Sequence, residues 1–183
     1  MRKGLLVVSP VSKAEAPVPG DSEAGQVLDQ EQLTALLNGF RGSVLYPIVA
    51  VAAFTGARRN EILALRWSDF DGKTLMIARS LEETKAHGRR FKEPKTRRGS
   101  RTIAIDDGLA GLLSAEREKY LRLAAGVADA AEVDLSLVKL PDGALIFPSP
   151  GADITCPRDA RSVTKVFSRR AAKLGFPELR SVP

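Results

Sequence analysis

The side chains best suited to chemistry lie between Thr55 and Asp69, where an arginine stands at the start of a short helix. The Thr-Gly pair favours a turn, Arg58 falls in the first helical turn, and Glu61 follows three residues later. A helix N-terminus offers free backbone N–H groups, and a guanidinium adds a fixed charge and a planar fork of donors. The pattern indicates a site for an anionic group. The alternative is an ordinary amphipathic helix with a solvated Arg59 and a surface pair between Glu61 and Arg58.

A concentrated run of positive charge follows this segment. Residues 85–101 contain eight basic side chains and one acid, Glu93, which makes a segment charge of +7 in a chain whose total is +6. Such a field is typical of surfaces that bind phosphates, although a solvated loop is the alternative. The cations assigned to phosphate contact in this run are Lys92, Arg97, Arg98 and Arg101, and Lys95 stands among them.

The composition excludes several classes of site. One cysteine and one histidine in 183 residues rule out an internal disulfide and a His/Cys zinc site. No apolar run reaches the roughly 18 residues of a membrane span. The start at residues 1–8 has too short an apolar part for a signal peptide, so we expect a cytoplasmic protein without metal, cofactor or membrane partner.

The elements that must position these side chains follow from capping and periodicity. Asp29 with Gln32 predicts a capping box, followed by an amphipathic helix with Leu33, Leu36, Leu37 and Phe40 on one face. Residues 44–54 predict a buried helix, and the Arg58 helix is expected to continue to Trp67–Asp69. Residues 74–80 and 101–105 predict two strands of an antiparallel hairpin or meander, with the basic run as its extended tip.

Two further helices are expected in the second half of the chain. Asp106 or Asp107 begins a helix that reaches about Ala125, with Leu109, Leu112, Leu113, Tyr120 and Leu123 on its inner face. Another starts near Pro157 and ends at Gly175. Its apolar stripe includes Val163, Val166, Phe167, Ala171 and Leu174, and its opposite face carries Arg169 and Arg170, which we assign to phosphate contact.

The order of the residues in the arginine segment is more specific than the chemistry of its side chains. The pattern Thr-Gly-Ala-Arg-x-x-Glu-Ile-x-x-Leu-Arg-Trp-x-Asp over 55–69 closely resembles the first arginine box of the tyrosine recombinases, the phage-integrase family. Residues 94–103, which contain Lys95 and end in Arg-Thr-Ile, resemble the hairpin whose lysine reaches the active site of that family. The resemblance covers roughly Val27 to Arg180.

The resemblance implies a fold and roles for individual residues. The fold would be α+β, a mainly helical DNA breaking-rejoining catalytic domain with a small antiparallel sheet. Arg58 would stabilise charge on the phosphate oxygens, and Lys95 would protonate the leaving 5′ oxygen, with Lys92 as a competitor for that role. Glu61 would support Arg58 structurally. His87 is expected to be an exposed hairpin residue.

The resemblance also predicts what the 183 residues lack. Family members continue into a His-x-x-Arg box and a tyrosine nucleophile, and neither follows Arg180 in this sequence. Residues 1–25 read as a linker or tail, and residues 26–183 as a partial catalytic domain, incomplete at its C-terminus. We therefore expect no strand cleavage, because a phosphotyrosyl link needs that tyrosine. Uncovered apolar surface favours marginal stability, self-association or pairing with intact recombinase protomers.

Three functions remain open from the sequence. The first is a DNA-binding fragment of a site-specific recombinase or integrase, whose intact relatives carry out DNA integration and recombination. The second is a non-catalytic DNA-binding module that regulates or competes with intact recombinases. The third is an unrelated basic RNA-binding domain, which lacks a recognisable aromatic platform. All three have a nucleic acid as partner, and the first two bind double-stranded DNA.

Overall fold

The computed structural model describes residues 27–84, 86–93, 99–128 and 132–179. In chain order its helices and strands are α1 (Gln30–Phe40), α2 (Tyr46–Thr55), α3 (Arg59–Ile62), β1 (Thr74–Ile77), β2 (Ser80–Thr84), β3 (Gly88–Lys92), β4 (Arg101–Ala104), α4 (Asp107–Ala125) and α5 (Ala160–Lys173). A 3-10 turn at Trp67–Asp69 separates α3 from β1. The predicted α+β class, mainly helical with a small antiparallel sheet, is confirmed.

Local capping chemistry sets the helix ends. The Asp29 carboxylate accepts from the Gln32 N–H at 2.8 Å, and the Gln32 side chain accepts from the Asp29 N–H at 3.1 Å, so the predicted capping box is present. Asp106 caps α4 by accepting from Leu109 N at 2.7 Å, and that helix ends at Gly126. Asp159 caps α5 through Ser162 N at 2.6 Å, which places the start of α5 after Pro157.

The two predicted strands pair in antiparallel fashion, as expected for a hairpin or meander, and a second antiparallel pair lies between them in sequence. Strand β1 pairs with β4, and the connection between them folds into a second hairpin in which β2 pairs with β3. The predicted strand 74–80 is therefore divided, with Ile77 ending β1 and Ser80 beginning β2. Leu75 and Ile77 point into the core from β1, which fixes the inner face of the first pair.

The helix that follows Arg58 is shorter than predicted. It ends at Ile62, because the next backbone groups are taken by a distant segment. Ile146 N donates to the Leu65 carbonyl at 2.9 Å, and Trp67 N donates to the Ala144 carbonyl at 3.0 Å. This pairing replaces a further helical turn and buries Leu65 and Trp67.

The core lies between the helices and the inner face of β1. Phe40 stacks on Phe167 with ring centroids 5.3 Å apart, which joins α1 to α5. Three residues assigned to inner faces are instead exposed: Leu123 is 76% exposed at the end of α4, Val166 is exposed on α5, and Leu174 is exposed just after it. In the described ranges, no helix is both long and apolar enough to cross a membrane.

The turn before Arg58 generates the first prediction. Gly56 ends α2 with a left-handed backbone, φ +62°, which a side chain adopts at a cost. Gly56→Ala is expected to lower the free energy of unfolding by about 1 kcal/mol, measured by urea denaturation.

The matched control is Gly111→Ala in the middle of α4. The added methyl group has no other atom within 4 Å, and the backbone at this position is helical. The free energy of unfolding of this variant should therefore rise by about 0.5 to 1 kcal/mol. Equal effects of the two substitutions would contradict the assignment of backbone strain to Gly56.

Candidate functional site

Arg58 stands at the N-cap of α3 with its side chain in solvent. The Thr55 hydroxyl donates to the Val51 carbonyl at 2.6 Å and accepts from Ala57 N at 3.2 Å, which holds the chain as it leaves α2. Ala57 is fully buried, whereas the Arg58 side chain is 73% exposed. The turn therefore buries its backbone and presents one guanidinium outward.

Glu61 holds this turn together. Its carboxylate accepts from the backbone N–H of Arg58 at 2.8 Å, and it is only 9% exposed. Its contact with the Arg58 guanidinium is longer, with Nη1 3.8 Å from Oε1. Glu61 thus orients the backbone of Arg58 more directly than its side chain.

Arg101, the first residue of β4, supplies two further hydrogen bonds to Glu61. Its Nη1 and Nη2 donate to the two oxygens of Glu61 at 3.1 and 2.8 Å, in the two-pronged geometry that suits guanidinium and carboxylate. Burial raises the pKa of Glu61, but the hydrogen bonds from Arg101 and from the Arg58 backbone outweigh it and lower that pKa below its usual value. The same pairing raises the pKa of Arg101. Sequence reasoning assigned Arg101 to DNA, and the structure places it on Glu61.

The hairpin cations have acidic partners that the charge count over 85–101 left out. In β3, Arg90 and Lys92 both contact Glu82, with Lys92 Nζ 2.7 Å from Oε1. Arg89 lies 2.9 Å from Asp159 and 3.7 Å from Glu83. Since Glu82 and Glu83 precede residue 85, the segment charge of +7 overstates the local field. Glu82 and Glu83 precede the 86–87 turn, and Arg89 and Arg90 follow it at matching positions. This symmetry was the sequence signal for the cross-strand ion pairs.

The other cations that the sequence assigned to phosphate contact have three different outcomes in the structure. Lys95, Arg97 and Arg98 lie outside the described residues. Arg169 is exposed on α5. Arg170 instead packs on α1, where it donates to the Gly39 carbonyl at 2.9 and 2.8 Å and lies over the Phe40 ring.

Arg59 does not behave as the solvated residue of the amphipathic-helix alternative. Its Nη1 donates to the Thr164 hydroxyl and its Nε to the Asn60 side chain, which ties α3 to α5. His87 is exposed at the hairpin turn, as predicted. In the described part of the chain, no group of three or more His, Cys, Asp or Glu side chains is arranged to hold a metal ion.

Known proteins share both the sequence and the fold. The chain is 25% identical over 132 residues to a tyrosine recombinase XerC-like protein of Caldanaerobacter subterraneus subsp. tengcongensis, covering 64% of this chain and 34% of the relative. The chain is therefore similar in sequence to the tyrosine recombinases. It is also 30% identical over 102 residues to the defective protein IntQ of Escherichia coli K12, covering 55% of this chain and 24% of that protein.

Solved structures show the recombinase fold. The Tn1549 transposon integrase in complex with a circular intermediate DNA superposes with a TM-score of 0.64 at 17% identity, covering 91% of this chain and 50% of that one. The XerA recombinase superposes at 0.55 and 17% identity, covering 92% and 49%. No family model matches the sequence. The chain spans about a third or less of the length of the two relatives named above.

The depressed pKa of Glu61 generates the second prediction. A carboxyl whose pKa is lower in the folded state stabilises the fold above its unfolded pKa of about 4.3, and that contribution disappears as the pH falls through the folded value. Glu61→Gln should therefore lower the free energy of unfolding by about 1 to 2 kcal/mol at neutral pH. Urea denaturation across a pH series should show that the difference in free energy of unfolding between Glu61→Gln and wild type disappears below about pH 4.

Two further variants test the source of this effect. Arg101→Ala should reduce the same pH-dependent stability, because it removes both side-chain donors to Glu61. Glu83→Gln removes a carboxylate that is exposed and 3.7 Å from Arg89, and it should leave the pH profile close to wild type. If the free energies of unfolding of Glu61→Gln and wild type differ by the same amount at every pH, the pH dependence does not come from Glu61.

Proposed function

We propose that this chain binds double-stranded DNA as the catalytic-domain fragment of a site-specific recombinase, through the face that carries Arg58 and the basic hairpin. The observation that carries the proposal is the exposed Arg58 guanidinium on a buried, hydrogen-bonded turn. Fixing the backbone beneath a solvent-facing cation lowers the cost of orienting it toward a phosphate. The solved Tn1549 integrase, which shares the fold, is in complex with DNA.

Individual roles follow from the family box and stay proposals. Arg58 would contact the non-bridging oxygens of the scissile phosphate, and Lys95 would act as the acid for the leaving oxygen. Lys92, Arg97, Arg98 and Arg169 would contact neighbouring phosphates. Lys92 must leave Glu82 to do so, which favours Lys95 for proton transfer. Arg101 and Arg170 would act through the fold, since each is held by Glu61 or by Gly39.

We further propose that the 183 residues bind DNA without cleaving it. The chain has two tyrosines, Tyr46 in α2 and Tyr120 in α4. Tyr120 packs against Trp67 with ring centroids 6.0 Å apart, and burial raises the pKa of its hydroxyl. A desolvated phenol in a helix packed on the core is a poor nucleophile for a phosphodiester. The alternative function, a non-catalytic regulator of intact recombinases, has the same DNA contacts.

The division into a linker over 1–25 and a partial catalytic domain over 26–183 stays a prediction, as does self-association or pairing with intact protomers. One surface suited to association is an apolar groove of about 150 Å³ between α1, α2 and α5. Its walls include Leu36, Ile48 and Phe167.

The salt dependence of DNA affinity tests the binding proposal. Fluorescence anisotropy with a labelled duplex should show affinity falling linearly on a log–log plot as salt rises, with a slope of about −0.9 for each phosphate contacted. Arg58→Ala should reduce that slope by about one contact. Lys119→Ala removes an equal charge that already pairs with Glu116, and it should leave the slope unchanged. A slope near zero for the wild type would overturn the proposal.

A nicked suicide substrate tests the absence of cleavage. After incubation with the wild-type chain, denaturing electrophoresis should show no covalent protein–DNA adduct, because neither tyrosine is placed for attack. An adduct that persists in Tyr46→Phe and disappears in Tyr120→Phe would show that Tyr120 is a nucleophile after all.

A further inference from the structure

We propose that a cavity beside Arg66 binds a small phosphorylated molecule. The cavity has a volume of about 510 Å³, within the range of small-molecule sites. It lies between the 3-10 turn, α4 and the segment 136–144. Its walls are formed by Arg66, Trp67, Ser68, Arg117, Ser136, Val138, Lys139, Leu140, Pro141, Asp142, Gly143 and Ala144.

Arg66 supplies a desolvated cation at this cavity. Its Nε is buried and has no acceptor among the described residues. The guanidinium lies 5.4 Å from the centre of the Phe91 ring, and a methyl group built on Gly143 would come within 3.9 Å of its Cζ. The guanidinium is therefore held between a ring and the cavity wall, without a carboxylate. Because the buried Nε has almost no surface toward the cavity, the donors that an anion can reach are the two terminal nitrogens of Arg66, which are not buried.

Trp67 provides a second unsatisfied donor. The side chain is 4% exposed, and its indole Nε1 has no acceptor in the described part of the chain. Arg66 and Trp67 are adjacent in sequence, and both line the cavity. Because the indole nitrogen is buried, and Asp69 Oδ1 in the same 3-10 turn is a buried acceptor without a partner, this N–H is not a contact for the occupant of the cavity.

The charge balance of the cavity also favours an anion. Arg117 and Lys139 line it together with Arg66, against the single carboxylate of Asp142. In the described ranges, neither Arg117 nor Lys139 forms an ion pair or a side-chain hydrogen bond. The cations of the hairpin behave differently, because each described one has an acidic partner. The cavity therefore has an excess of two positive charges, with three cations against one acid.

The shape of the cavity favours a free small molecule over nucleic acid. A duplex could insert only a backbone phosphate into a recess of this size, and the apolar wall of Val138, Leu140 and Pro141 would then stay uncovered. A small organic phosphate can place its oxyanion on the guanidinium and its body on that wall. The Ser68 and Ser136 side chains add hydroxyl groups at the rim.

Isothermal titration calorimetry with adenosine monophosphate and with inorganic pyrophosphate tests the proposal. The wild type should bind at least one of them at a single saturable site. The double variant Arg117→Ala, Lys139→Ala changes exposed residues only and should weaken that binding about tenfold, because two charge-assisted contacts are lost. The control Lys165→Ala, Lys173→Ala removes the same charge from exposed positions of α5 and should leave the affinity unchanged.

Three outcomes would overturn the proposal. One is the absence of saturable binding of either probe. Another is an equal loss of affinity in both double variants, which would indicate a general charge effect. The third is displacement of the probe by a short DNA duplex together with loss of duplex affinity in the Arg117, Lys139 variant, which would make the cavity part of the DNA surface. Thermal unfolding of both double variants verifies that each is folded.

Discussion

The hydrogen bonds to the carboxylate of Glu61 are the interaction on which the candidate site depends. Three donors converge on it, the backbone N–H of Arg58 and the two terminal nitrogens of Arg101. A nearly buried carboxylate is costly unless it is paired and hydrogen-bonded, and these donors meet both conditions. Since Arg58 begins α3 and Arg101 begins β4, the same group joins the arginine turn to the sheet. Arg58 is thereby left facing solvent, with only a long 3.8 Å contact between its guanidinium and Glu61.

The contrast between Arg58 and the other cations explains how charge is distributed on this surface. Most of the described hairpin cations are paired across the β2–β3 ladder, and Arg89 also reaches the N-cap of α5. These pairs are exposed, so they add little to stability, but they reduce the field that the hairpin presents. A basic segment in the sequence is therefore a weaker indicator of phosphate binding than a single cation fixed on a buried turn.

Features controlled by short-range chemistry were predictable. The Asp29 capping box, the α4 cap at Asp106 and its end at Gly126 all follow from local hydrogen bonds. Predictions that depended on distant contacts were less accurate. The helix after Arg58 ends early because residues 144–146 pair with Leu65 and Trp67, and the exposure of Leu123 reflects the absence of a described neighbour over the end of α4.

The sequence by itself determined the resemblance to tyrosine recombinases and the identity of the exposed arginine, because both are encoded in fifteen consecutive residues whose turn and cap form locally. Only the tertiary structure decided the partner of each cation. Arg101 meets Glu61 across 40 positions, and Arg170 meets Gly39 across 131. Side-chain contacts at that separation are made by chain topology, which a charge count along the sequence does not contain. The cavity at Arg66 could not be predicted from the sequence either, because its walls come from the arginine segment, α4 and the chain before Leu145.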